Sequence, residues 1–95
     1  MPLFVIERTF ADQLQLDQEG IDAVEAYNND ANLRWLFSFL SADKKKTYCL
    51  YEAPDAEALY RQAQELGFPA DSVVEVGECN AGMFAGQSVT GHLAV

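Results

Sequence analysis

Leu33-Arg34-Trp35-Leu36-Phe37-Ser38-Phe39-Leu40, then Ser41-Ala42-Asp43-Lys44-Lys45, then Lys46-Thr47-Tyr48-Cys49-Leu50-Tyr51-Glu52, is the stretch from which the fold is read. Two runs rich in aromatic and aliphatic residues flank a short polar turn, the pattern of an antiparallel hairpin. Alternation places Leu33, Trp35, Phe37 and Phe39 on one face of the first run and Arg34, Leu36, Ser38 and Leu40 on the other. Apolar residues on both faces predict a strand covered on both sides.

Upstream of the hairpin, Leu3 to Phe10 reads as a strand with Leu3, Val5, Glu7 and Thr9 on one face and Phe4, Ile6, Arg8 and Phe10 on the other. A polar loop from Asp12 to Glu19 leads to Gly20 and a helical stretch with Ile21, Val24 and Tyr27 (with Ala23) at helical spacing. Asn28-Asn29-Asp30 is expected to end it, because these side chains compete with the helix for backbone hydrogen bonds. Downstream, Pro54-Asp55 opens a second helix with Glu57 in its first turn, where the helix dipole favours an anion. Leu59, Ala63 and Leu66 form its apolar stripe, and Gly67 stops it before Pro69. Ser72 to Cys79 is the last strand.

The order is strand, helix, strand, strand, helix, strand. With right-handed crossovers this is the ferredoxin-like βαββαβ arrangement, an α+β fold with an antiparallel sheet. Residues 1–79 form that domain. Residues 80–95 are punctuated by glycines and carry no charge from Ser88 onward, so they read as a C-terminal tail, or as an extra strand or arm. Two helices cover only one face of such a sheet. Trp35, Phe37 and Phe39 would then lie bare on the other, and a large bare apolar surface predicts association. A homodimer packed sheet against sheet, a dimeric α+β barrel with a cavity between the sheets, is the expected assembly.

Composition narrows the function classes. At 95 residues the chain is one domain that buries about 60–65% of its unfolded surface, so self-association would help to stabilise it. Fifteen acidic residues against six basic ones give a net charge of −9, which repels phosphate backbones and anionic lipid. Nucleic-acid and membrane partners are therefore not expected, and Lys44-Lys45-Lys46 reads as a solvated turn. Apolar runs stay far below the ~20 residues of a membrane span. The opening residues lack the pattern of a signal peptide, which leaves a cytoplasmic compartment as the expectation. Cys49 and Cys79 are too few for a disulfide framework and read as buried thiols.

Val5-Ile6-Glu7-Arg8-Thr9-Phe10, Trp35, the string from Ser41 to Pro54 and Gly67-Phe68-Pro69 resemble a small bacterial family known as domain of unknown function 4242. Its members are often labelled nickel-binding proteins. The resemblance spans residues 3–78 in order and is most specific in the hairpin. It implies a dimeric α+β barrel and a site for nickel or another divalent metal.

The residues suggest where a ligand would sit. Glu7 lies mid-strand, and Trp35, Cys49 and Tyr51 fall on alternate positions of the hairpin, with Glu75 on the last strand. A cavity lined by Glu7, Trp35, Cys49, Tyr51 and Glu75 would set a carboxylate, a thiol and a phenol around an aromatic wall. The plainer reading pairs Glu7 with Arg8 or Arg34 at a strand edge and leaves the aromatics as interface core. For a metal, the candidates are Glu7 and the lone His92, since nickel favours nitrogen and oxygen donors. No H-x-x-x-H or C-x-x-C spacing points to a closed zinc site, and no glycine-rich phosphate loop is present. Two functions lead the expectations, ahead of a purely structural or regulatory interaction domain whose uncharged tail docks a partner. One is a small homodimeric ligand-binding domain that takes nickel or another divalent metal. The other is a cofactor-independent enzyme of the dimeric-barrel kind, a monooxygenase or isomerase, with Trp35 and Tyr51 as wall and Glu7 as general base for an aromatic substrate.

Overall fold

A computed structural model describes residues 1–83. Strand β1 (Leu3–Thr9) lies inside a four-stranded antiparallel sheet, between β3 (Lys46–Glu52) and β4 (Ser72–Val76), with β2 (Arg34–Leu40) at the far edge beyond β3. Helix α1 (Gln18–Asp30) connects β1 to β2, and helix α2 (Ala56–Leu66) connects β3 to β4. This is the βαββαβ, ferredoxin-like order expected from the sequence.

The alternation of β1 sets the core. Phe4, Ile6 and Arg8 are buried beneath the helices, while Leu3, Val5 and Glu7 occupy the other face. Ile6 pairs with Cys49 on one side and Val73 on the other, and Phe4 pairs with Tyr51. Leu33, Ala53 and Leu59 close the cluster over them. Ile6 and Leu59 are completely enclosed, and burial of each stabilises the fold by about 1.5–3 kcal/mol.

Local chemistry explains where the helices begin and end. Asp17 caps α1 by accepting from the Gly20 N–H at 2.9 Å, so the helix starts two residues before Gly20 instead of at it. Asp55 caps α2 by accepting from the Ala58 N–H at 2.8 Å. Gly67 ends α2 with φ at 74°, a left-handed conformation that favours glycine. α1 ends at Asp30, within the Asn28-Asn29-Asp30 run expected to stop it. Asn28 itself is buried in the last turn, and four residues after it Asn32 takes φ of 58° while the Leu33 N–H donates to the Asn28 carbonyl at 2.9 Å.

Four further expectations change, three in strands and one in α2. β1 stops at Thr9, one residue before Phe10, whose N–H still bonds the Lys45 carbonyl at 2.7 Å. The last strand ends at Val76, three residues short of Cys79, which is exposed and not a buried thiol. In α2 the enclosed residues are Leu59, Gln62 and Ala63, and Leu66 is only half-buried. The largest change is in β2. The register shifts between Trp35, opposite Tyr51, and Phe37, opposite Leu50, so that Leu36 is the extra residue of a bulge. Because one extra residue reverses the alternation, Trp35 faces the helices while Phe37 and Phe39 face away from them.

Candidate functional site

A pocket of about 200 Å³ opens on the helix side of the sheet, at the end away from α2's start. Each strand delivers part of it through alternation: Arg8 from β1, Thr47, Cys49 and Tyr51 from β3, and Trp35, Ser38 and Leu40 from β2. The loop after β1 supplies Phe10, Leu14 and Leu16, α1 supplies Val24, and the segment after α2 supplies Phe68. Backbone bonds from Phe10 to Lys45 and from Leu14 to Lys44, each 2.7 Å, pin that loop against the hairpin turn. The turn itself is held by Asp43, which accepts from the Ser41 hydroxyl at 2.6 Å and the Lys45 N–H at 3.0 Å. These two bonds, the Ser41 hydroxyl first, hold the Asp43 carboxyl below its ordinary pKa.

Bulging at Leu36 builds one wall. It turns the Trp35 indole onto Tyr51, with ring centroids 6.4 Å apart and planes 7° from parallel, and lets the indole N–H donate to the Ser38 hydroxyl at 2.8 Å.

Beneath the pocket runs a buried polar network. Gln62, fully enclosed, donates through its amide to Asn28 Oδ1 at 2.7 Å and to the Tyr51 hydroxyl at 2.9 Å. Its carbonyl accepts from Arg8 Nη2 at 2.9 Å, and Arg8 Nη1 donates to the Pro69 carbonyl at 2.8 Å. Asn28 Nδ2 adds a longer bond to the Tyr51 hydroxyl at 3.3 Å. Burial pushes the Tyr51 phenol above its ordinary pKa, against the lowering effects of the bonds from Asn28 and Gln62 and of the Arg8 charge. The phenol is therefore neutral at physiological pH.

This network predicts a pH effect. A phenol whose folded pKa lies above the unfolded value near 10 contributes stability that is complete below pH ~10 and lost as pH rises toward the folded pKa. Urea midpoints measured from pH 8 to 11 should fall, and the fall should be shallower in Tyr51→Phe. Tyr27, raised through Glu65, and Lys46, raised through Glu7, supply the remaining slope. An identical slope in Tyr51→Phe would show that burial of this phenol does not govern the alkaline limb.

Three of the five residues expected to line one cavity do share it: Trp35, Cys49 and Tyr51. Glu7 does not join them. It stands opposite Tyr48 and Ser72 on the far face of the sheet, 2.5 Å from Lys46 Nζ, with the Ser72 hydroxyl at 3.4 Å. Its ion-pair partner is thus Lys46, neither Arg8 nor Arg34; Arg34 pairs with Glu52 at 3.2 Å. Glu75 is exposed at the other end of the sheet, paired with Phe4. His92 lies outside the described residues. The charged group that does reach the pocket is Arg8, which the plainer sequence reading pairs with Glu7. The signal was present: the counting that buries Phe4 and Ile6 places Arg8 on the same face.

Residues 4–76 match the family model described as nickel responsive protein SCO4226-like. The chain belongs to this SCO4226-like family. The crystal structure of SCO4226 from Streptomyces coelicolor A3(2) is similar in fold, with a TM-score of 0.68 and 26% identity over 82% of this chain and 99% of that one. No curated protein matches the chain significantly. The SCO4226-like family is related to the family that the hairpin resembles, and its description again carries nickel.

The described residues of one chain do not gather a donor set for nickel. Among the described residues, no three of His, Cys, Asp and Glu come close enough together to hold an ion. Cys49 is buried with only the Thr47 hydroxyl near its sulfur, at 3.7 Å, and Glu7 is engaged by Lys46. Among the same residues, no helix is long and apolar enough to cross a membrane.

Proposed function

We propose that this SCO4226-like chain is a homodimeric ligand-binding domain in which two copies pack sheet against sheet. The observation that carries the reading is the uncovered face of the sheet. Phe37, Phe39 and Val74 are 51%, 66% and 53% exposed, and Tyr48 joins them. They lie on three strands, with Val5 and Leu50 between them in register, so the apolar surface runs across the whole sheet. Phe37 and Phe39 meet edge to face at 5.5 Å, which presents a preformed aromatic ridge. A second copy offers the same face and the same outline, and a two-fold axis makes such a surface self-complementary.

Nickel, the property in the family's description, enters on the same reading. On this reading the nickel donors are contributed by both chains of the dimer. Glu7 lies on the face that pairing brings together, and with His92 it supplies the carboxylate and imidazole that suit nickel. Nickel titrated into metal-depleted protein, followed by calorimetry, tests this directly. Glu7→Gln is expected to weaken uptake by about tenfold or more, since even groups behind the ligands are worth ~10–100-fold. Uptake unchanged in both Glu7→Gln and His92→Ala would remove these residues from any nickel site. The enzyme reading has no observation in its favour, because Glu7 stands across the sheet from Trp35 and Tyr51.

A further inference from the structure

We propose that the pocket on the helix side is a binding site for a small monocarboxylate with an apolar body about the size of benzene, held through Arg8. This inference is independent of sheet pairing and of nickel.

Arg8 is the unusual group. It is 4% exposed, and its bonds go to two neutral oxygens, the Pro69 carbonyl and the Gln62 side-chain carbonyl. The Phe68 ring lies beneath it, 5.7 Å from centroid to guanidinium carbon. The ion pairs among the described residues are Arg34–Glu52, Lys46–Glu7 and Arg61–Glu57, so no carboxylate of these residues neutralises it. Burying a charge without a counter-ion costs several kcal/mol. The bonds to Pro69 and Gln62 use two of the five N–H donors of a guanidinium.

The surroundings define that acceptor. The pocket walls are apolar, with Leu14, Leu16, Val24, Trp35 and Leu40, and no acidic residue lines it. Thr47, opposite Arg8 in the ladder, and Ser38, which accepts from the Trp35 indole, add hydroxyls to the lining. A cavity of ~150 Å³ already accepts benzene, so about 200 Å³ holds a body of that size with its head group. A carboxylate matches the planar fork of a guanidinium. A single buried cation balances a single negative charge, whereas a phosphate dianion would leave one charge uncompensated in an apolar pocket.

The test uses the full chain, ¹⁵N-labelled, titrated with benzoate, hexanoate, benzyl alcohol and benzylamine while amide and indole signals are followed. Benzoate or hexanoate is expected to shift the Trp35 indole and the Arg8, Ser38 and Thr47 amides. Benzyl alcohol should bind at least about tenfold more weakly, since a hydrogen bond to a charged group is worth more than a factor of ten. Benzylamine should not bind. Leu14→Trp, which fills the pocket from the loop after β1 and leaves Arg8 in place, should abolish the carboxylate shifts in a protein whose spectrum remains dispersed. Arg8→Gln, if folded, should lose the preference for carboxylate over alcohol. Failure of both carboxylates at millimolar concentration, equal binding of benzyl alcohol, or shifts that survive Leu14→Trp would each overturn the proposal. These readouts do not depend on whether the protein dimerises or takes up nickel.

Discussion

Gln62→Leu is expected to lower the free energy of unfolding by about 3 kcal/mol or more, a large part of the ~5–15 kcal/mol available to a domain. Leucine fills most of the glutamine's volume but makes none of its bonds. Arg8 Nη2, Asn28 Oδ1 and the Tyr51 hydroxyl each lose a partner in a fully enclosed site. A buried polar group left unsatisfied costs about 1–3 kcal/mol, and more when it is charged. The gain from burying a more apolar side chain offsets only part of this. Gln62→Glu keeps an acceptor against Arg8 and is expected to recover part of the loss. Urea unfolding at one fixed protein concentration measures both, since association would otherwise shift the midpoint. A Gln62→Leu variant within 0.5 kcal/mol of the unmodified protein, the usual range of an inconsequential surface change, would show that the network under the pocket is not what holds the helices to the sheet.

The second large effect concerns the other face. Replacing Phe37 and Phe39 together by serine should weaken self-association by about a thousandfold, taking ~2 kcal/mol for each central aromatic anchor. The same change should leave the folded monomer nearly as stable, because both rings are more than half exposed in the single chain. Tyr60→Ser, a change of comparable exposure on α2, is the control and should leave association intact. Sedimentation across a range of concentrations separates these cases. If the double variant associates as tightly as the unmodified protein, the pairing surface lies elsewhere.

How much of this was legible in the sequence depends on which physical signal each part uses. The order of elements came through because each strand and helix carries its own periodicity, and the β3 range and both ends of α2 followed from alternation, Asp55 and Gly67. The faces of β1 were readable for the same reason. The faces of β2 were not. A single inserted residue at Leu36 leaves the composition of the run unchanged, yet it moves Phe37 and Phe39 to the opposite side from Trp35. That is why Trp35 was expected to share a face with them and instead packs on Tyr51.

The candidate site divided along the same line. Trp35, Cys49 and Tyr51 were brought together, but on the side of the helices, and the carboxylate expected among them was replaced by the guanidinium of Arg8. Buried polar residues inside helices are the other signal that apolar periodicity misses. Nothing in the Asn28-Asn29-Asp30 run that ends α1 marks Asn28 as buried, nor is Gln62 marked so in α2, although both sit at helical spacing from the apolar stripe. Their burial is intelligible only once each has the other and Tyr51 as partners, and those contacts join residues far apart in the chain.

The most direct test of the central claim is the mass of the unmodified, metal-depleted protein in solution, by native mass spectrometry at micromolar concentration. The account predicts twice the mass of one chain, with the Phe37 and Phe39 double variant at the mass of one. A single-chain mass for the unmodified protein at these concentrations would contradict sheet-to-sheet pairing, and with it the two-chain origin assigned to the nickel ligands.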